Sequence, residues 1–365
     1  MFAVVVAITS GSHGRPAPGA ATGGASSALP PRYAALARQG DHGTASDRLR
    51  LLIRDTVTGQ TLGTVDPPRP DNSFCDLSGT PDGRTFVVES CTVTVTGPSD
   101  GQTVDTSPGR FYRLTVDDQG KVGRLSPLSV PVPGRYDLDG LAVSPDGSKL
   151  AVASADHSHD FGREPAIQLY SLDTGQLLRS WIWPGVASIF GRGAGGNPLS
   201  WTADGSAIAF PLSIGERMIA QVRVLDTAAP SGSLRSTRLV LDFGPTPSLQ
   251  VAPSLDGPDS MITPDGSRIV ASTAEVSHQP TRTHLTVSEY SAATSARAAV
   301  LAAVTLHGNS VLYRSVLWSS PDGSKLIVGA LPDDSPSRGL PVGVLTRHGF
   351  TPLPGSQDGI TQIAF

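Results

Sequence analysis

The chain has 365 residues and a formal net charge of −4 with no basic block, which removes any electrostatic ground for nucleic-acid binding. Forty glycines, 31 prolines and only 16% charged residues exclude a protein of long helices and describe many short strands joined by tight turns. Length alone permits two ordinary domains or one large all-β domain.

Met1 to Ile8 is an apolar run, too short to span a bilayer and lacking the basic flank of a signal peptide. Two readings stand: the remainder of a membrane anchor or signal segment, or an apolar start without further meaning. Thr9 to Pro31 is Gly, Ala, Ser and Pro with little to bury. Residues 1–31 are therefore expected to be an apolar start plus a flexible tether, and residues 32–365 the folded domain.

Arg32-Tyr-Ala-Ala-Leu-Ala-Arg38 and Arg48-Leu-Arg-Leu-Leu-Ile-Arg54 read as strands, and Asp55 to Gly59 as the turn into a third. Cys75 and Cys91, the only cysteines, flank Asp82-Gly83 almost symmetrically. Folding that hairpin brings them within disulfide reach, and a bridge there implies an oxidising compartment. Two buried reduced thiols are the alternative. Gly97-Pro-Ser99-Asp-Gly101 matches a nucleophile elbow, but it falls in a long loop, Ser90 to Arg110, not on a strand-to-helix turn, so Ser99 is not expected to be catalytic.

Asp156-His157-Ser-His159-Asp160 is the densest set of metal-ligating side chains. Two histidines two apart with flanking carboxylates suit zinc or a similar ion. No second cluster completes the set, and a solvated polar loop is the plainer reading. Asp137 with Asp139, and Asp256 with Asp259, lack the spacing of a calcium loop. Gly191-Arg-Gly-Ala-Gly-Gly196 lacks the Lys-Ser/Thr of a phosphate loop and reads as a flexible crossing between sheets. Trp181 and Trp183 offer a stacking surface or interior packing, and Trp201 and Trp318 sit beside turns as core. No motif asks for a cofactor.

One motif recurs five times at a spacing of roughly sixty residues, which marks a repeat architecture. Its turns are Asp82-Gly83, Asp146-Gly147, Asp204-Gly205, Asp265-Gly266 and Asp322-Gly323, each with Ser or Thr two before the Asp and an apolar residue four after it. Pro presets the first turn position, Asp caps the turn, and Gly takes the left-handed conformation. The apolar run that follows, such as Leu150-Ala-Val-Ala153, is continuous, as in a strand covered on both faces. A second recurrent turn, at Asp55–Gly59, Asp173–Gly175, Asp117–Gly120 and Asp226–Thr227, supplies an outer hairpin. Four strands per repeat favour a propeller over an open solenoid.

The ends supply the blade count. Gln357 to Phe365 resembles the innermost-strand segment Leu138 to Val143 without a following hairpin, whereas Arg32 to Arg54 looks like second and third strands lacking a first. If the tail completes the head, the fold is an all-β propeller of six four-stranded antiparallel blades, its first blade closed by the C-terminal strand.

The Ser-Pro-Asp-Gly-(Ser/Arg)-x-(Leu/Ile/Phe) motif resembles the repeat of TolB-like and WD-repeat-like β-propellers, and the arrangement is similar to membrane-anchored or secreted actinobacterial propeller proteins. The resemblance covers residues 32–365. No Trp-Asp dipeptide is present, so the Asp-His-Ser-Trp network of WD repeats is missing and their intracellular scaffold roles do not transfer.

The functional expectation is an extracytoplasmic binding module, membrane-anchored or secreted, rather than an enzyme. It would recognise a protein, peptide or envelope component at the channel face. The loops Ser90 to Arg110, Asp156 to Pro165 and Pro184 to Pro198 are the candidate rim, with His157, His159, Asp160, Arg163 and Arg192 as candidate binding residues. The alternative is a propeller-type hydrolase or lyase with a metal at the channel mouth, held by Asp156, His157, His159 and Asp160.

Overall fold

A computed structural model describes residues 6–7, 31–38, 49–96, 103–131, 137–156, 163–189, 198–215, 219–245, 259–278, 281–307, 312–320, 324–332, 340–346, 349–354 and 360–364. They form six sheets, antiparallel except for one two-residue parallel pairing, and contain no α-helix. No helix among them is long and apolar enough to cross a membrane.

Each sheet is a blade. Blade 1 runs outward as Ile360–Ala364, Tyr33–Arg38, Arg50–Asp55 and Thr61–Val65. Blade 2 is Ser73–Gly79, Thr85–Thr96, Thr103–Thr115 and Ser126–Pro127, and blade 3 is Asp137–Val143, Lys149–Asp156, Arg163–Ser171 and Leu177–Ile182. Blade 4 has Ala207–Ile214, Ile219–Asp226 and Arg238–Pro245, with two short pieces, Ala187–Ser188 and Ser200–Trp201, in the innermost place. Blade 5 is Asp259–Ile262, Arg268–His278, Thr281–Ser291 and Arg297–His307, and blade 6 is Leu312–Ser319, Lys325–Pro332, Leu340–Thr346 and Gly349–Pro352.

The first blade closes with the C-terminal strand. Ala35, Leu36, Ala37 and Arg38 pair with Ala364, Ile363, Gln362 and Ile360, so the tail is the innermost strand of the blade that the head begins.

Recurrent turn chemistry explains why the inner hairpins form. The hydroxyl two before the Asp donates to its carboxylate, at 2.5 Å for Thr80, 2.6 Å for Ser144, 2.7 Å for Thr202 and 2.6 Å for Thr263. The same oxygen accepts the N–H five residues on, from Thr85, Lys149, Ala207 and Arg268. Ser320 accepts from Lys325 in the same way, although Pro321 to Gly323 lie outside the described residues. The Asp then accepts the N–H two residues on at 3.0 Å, and Gly83, Gly147, Gly205 and Gly266 stand at φ between +67° and +74°. The one copy with Ala in place of Pro is also accounted for, because the Ala203 N–H donates to the Pro264 carbonyl of the next blade at 2.7 Å, a bond proline has no hydrogen to make.

These turns are ionised by design. The Ser144 hydroxyl and the Ser148 N–H, opposed by desolvation, hold Asp146 down to about 2, and the Thr202 hydroxyl with the Ser206 N–H and hydroxyl does the same for Asp204. A carboxylate whose pKa is lower folded than unfolded stabilises fully above about pH 4 and loses that contribution as pH falls. Thermal melts are thus expected to fall between that point and about pH 2, where these two aspartates titrate. An Asp146→Asn, Asp204→Asn double variant should show a flatter slope across the same interval. An equal slope in both proteins would refute the assignment.

Six apolar cores lie between the blades. Phe86 and Val88 point into the core with blade 1, while Val87 between them points into the core with blade 3. Leu150 and Val152 face blade 2, and Ala151 and Ala153 face blade 4. Ala209 and Ile269 meet between blades 4 and 5, Val270 and Leu326 between blades 5 and 6. Ala34, Trp318, Ile327 and Ile363 fill the sixth, between blades 6 and 1. Consecutive residues of one strand serving two cores is the physical reason for the unbroken apolar runs.

Three details differ from expectation. Ser90 to Arg110 is mostly paired strand, with Thr96 opposite Thr103, rather than a long loop. Ala187–Ser188 already pairs with the second strand of blade 4, ahead of Ser200–Trp201, while residues 191–196, expected as the crossing, lie outside the described residues. Val6–Ala7 pairs with the outer strand of blade 5, while the expected tether, residues 8–30, lies outside the described residues.

Candidate functional site

Strands alternate direction within a blade, so inner and outer turns lie at one end of the ring. The blade-to-blade crossings and the hairpins between second and third strands lie at the other.

At the turn end, every innermost strand contributes to one cavity of about 120 Å³. Leu77, Val143, Trp201, Met261, Trp318 and Ile363 each come from a different blade, and Pro81 and Pro264 place the cavity beside the turns. Its polar groups are largely engaged in joining blades. Ser78 Oγ accepts from the Val143 N–H at 3.1 Å, Ser200 Oγ accepts from the Ile262 N–H at 2.9 Å, and Trp201 Nε1 donates to the Ala142 carbonyl at 3.2 Å. Ser319 donates to the Ser320 carbonyl at 2.9 Å. Ser78 and Ser200 each keep a hydroxyl hydrogen to donate. The wall is apolar and aromatic with two donors.

At the opposite end, the blade 3 hairpin ends with Asp156 opposite Arg163. His157, His159 and Asp160 lie beyond that pair, outside the described residues, as do Arg192, Ser99 and Asp256. Asp139 is buried in the innermost strand of blade 3. Among the described residues no three His, Cys, Asp or Glu side chains gather as a metal site would require. Trp181 and Trp183 are buried in the core between blades 3 and 4, and the Trp183 ring lies 5.2 Å from the Arg223 guanidinium and 5.3 Å from that of Arg235. They hold blades together rather than offer a stacking surface.

Cys75 and Cys91 form a disulfide with a Cα separation of 5.9 Å. Cys75 is the extra residue of a bulge, since Phe74 pairs with Ser90 and Asp76 with Glu89, and Cys91 stands opposite Ser73. A second bulge lies on the other side of the same strand, leaving Gly109 unpaired between Arg110 and Pro108. A Cβ at Gly109 would meet the Ser90 carbonyl oxygen at 1.6 Å, so only glycine fits.

The sequence did not flag Asp71 and Asn72, which brace this point. The Asn72 side-chain amide donates to the Val93 carbonyl at 3.0 Å and accepts from its N–H at 2.9 Å, standing in for a strand neighbour, and Ser90 donates to Asp71. Asn followed by a short strand was the available signal.

The closed ring of six sheets, packed blade against blade around a channel, defines a six-bladed β-propeller. The chain is similar to a protein assigned as TolB from Agrobacterium tumefaciens, with 13% identity, 84% of each chain covered and a TM-score of 0.44. It is also similar to a prolyl endopeptidase (16% identity, TM-score 0.39) and to a protein assigned as dipeptidyl aminopeptidase IV from Bacteroides ovatus (9%, 0.40). The match covers 80% and 89% of this chain but 43% and 46% of those two. No protein-family model matches the sequence, and no curated protein matches it.

Proposed function

We propose that this propeller is an extracytoplasmic binding module that takes an apolar group of a protein, peptide or envelope component into the end of its channel. The observation that carries this reading is a cavity to which all six innermost strands contribute. At about 120 Å³ it is somewhat smaller than the cavity of about 150 Å³ that holds benzene, which suits one aliphatic group. The Ser78 and Ser200 hydroxyls suit a carbonyl beside that group, which favours a peptide. The Cys75–Cys91 bridge supports an oxidising compartment.

Panning a random-peptide display library against the purified protein tests the reading. Enriched peptides should share one apolar anchor and bind a Met261→Trp variant, with its cavity filled and its melting temperature unchanged, at least tenfold more weakly. Peptides that bind both proteins equally would move recognition away from the cavity. Stoichiometric metal in the purified protein, lost in a His157→Ala, His159→Ala variant, would favour the metal-dependent enzyme instead.

A further inference from the structure

A blade's outermost strand has one backbone edge with no partner inside the sheet, and a long, uncharged edge invites another strand. In blade 5 this strand, Arg297–His307, spans eleven residues, against eight or fewer for the outermost strand of every other blade. Between its terminal Arg297 and His307 it reads Ala-Ala-Val-Leu-Ala-Ala-Val-Thr-Leu, with no charge to discourage pairing.

The structure seats a strand there. Val6–Ala7 runs antiparallel to this edge with Val6 opposite Val304 and Ala7 opposite Ala303. The segment comes from an apolar, β-branched run, Phe2-Ala-Val-Val-Val-Ala-Ile8, whose composition suits a strand. The outer edge of blade 3 is covered by the same device, with Gly232–Ser233 added in parallel to Trp181 and Ile182. Between Ala7 and Pro31 lie 23 residues, which extended reach roughly 75 Å, ample for the head to meet this edge from blade 1.

We propose that the outer edge of blade 5 is a strand-addition site, and that its occupant is the chain's own N-terminal apolar run, held as a fifth strand. The ligand class is an extended apolar peptide, bound by backbone hydrogen bonds at the Ala303–Val304 level. The head is thereby fastened to the wall of the ring, away from the channel, and the contact covers part of the longest outermost edge among the described residues.

Cross-linking in the full-length chain tests this. An Ala7→Cys, Ala303→Cys variant, oxidised mildly and mapped by non-reducing peptide mass spectrometry, should give a link between positions 7 and 303 within one chain. Its yield should exceed at least fivefold that of an Ala7→Cys, Ala299→Cys control, four residues out of register. Equal yields, or a link found only between two chains, would overturn the proposal. A second measurement does not depend on cysteines: removing residues 1–8 should speed backbone hydrogen exchange across residues 300–307 at least tenfold while leaving the inner strands of blade 5 unchanged. Unaltered exchange across 300–307 would equally overturn it.

Discussion

Deleting residues 357–365 is expected to abolish cooperative folding. The lost strand Ile360–Ala364 is the innermost of blade 1, and its removal strips the Ala35–Arg38 ladder of its partner. Two cores open together. Ala364 packs with Tyr33, Phe74 and Phe86 between blades 1 and 2, and Ile363 packs with Trp318 and Ile327 between blades 6 and 1. Burial of Ile363 alone is worth about 2 kcal/mol, and with the unpaired edge and both opened cores the loss approaches the roughly 5–15 kcal/mol that stabilises a whole domain. Calorimetry and urea unfolding would show a broadened transition with a reduced m-value. Ile363→Ala, a milder change, should cost about 2–4 kcal/mol while the fold survives. A truncated chain that melts as the intact one does would mean the ring is not closed by its tail.

Breaking the Cys75–Cys91 bridge is the second large effect. The cysteines are 16 residues apart, and freeing a loop of that size costs about 3 kcal/mol, or about 5 °C in a domain of this length. Both residues belong to blade 2 where the two neighbours of its second strand each bulge against it, so the bridge fixes the point at which the ladder is least regular. Thiol titration in denaturant without reductant should find no free thiol. A Cys75→Ser, Cys91→Ser variant should melt at the lower temperature and be insensitive to reductant. Two titratable thiols, or an intact protein whose melting ignores reductant, would remove the bridge from the account.

Blade number and closure were readable because the inner turns repeat chemistry, not merely composition. A hydroxyl, a carboxylate and a left-handed glycine at fixed offsets leave a pattern that survives changes in the strands around it. The outer turns were harder. Blade 5 makes its outer turn at Ser291–Ser295, where Ser295 at φ +61° takes the position that Gly59 and Gly175 hold in blades 1 and 3, and its N–H donates to the Ser291 carbonyl as theirs do to Asp55 and Ser171. Without glycine or aspartate, nothing in the sequence marked it. The hairpin from Ser90 to Arg110 was hidden for the opposite reason, since Gly97, Pro98, Gly101, Pro108 and Gly109 crowd it with turn residues. The alternation Thr92-Val-Thr-Val-Thr96 was the legible sign of strand. Of the candidate site, the repeat places one wall residue per blade. What enters the channel is not written in it, because the same wall serves to hold the ring together.

The interleaving of the cores has a consequence for how the molecule can be cut and rejoined. Since Phe86 and Val87, or Ile269 and Val270, serve different neighbours, no blade owns a hydrophobic interior of its own. Excising one repeat would strand two half-interiors, whereas joining the native ends and opening the polypeptide between any two blades would preserve all six. The protein is, in this sense, indifferent to where its backbone starts and intolerant of having fewer sectors.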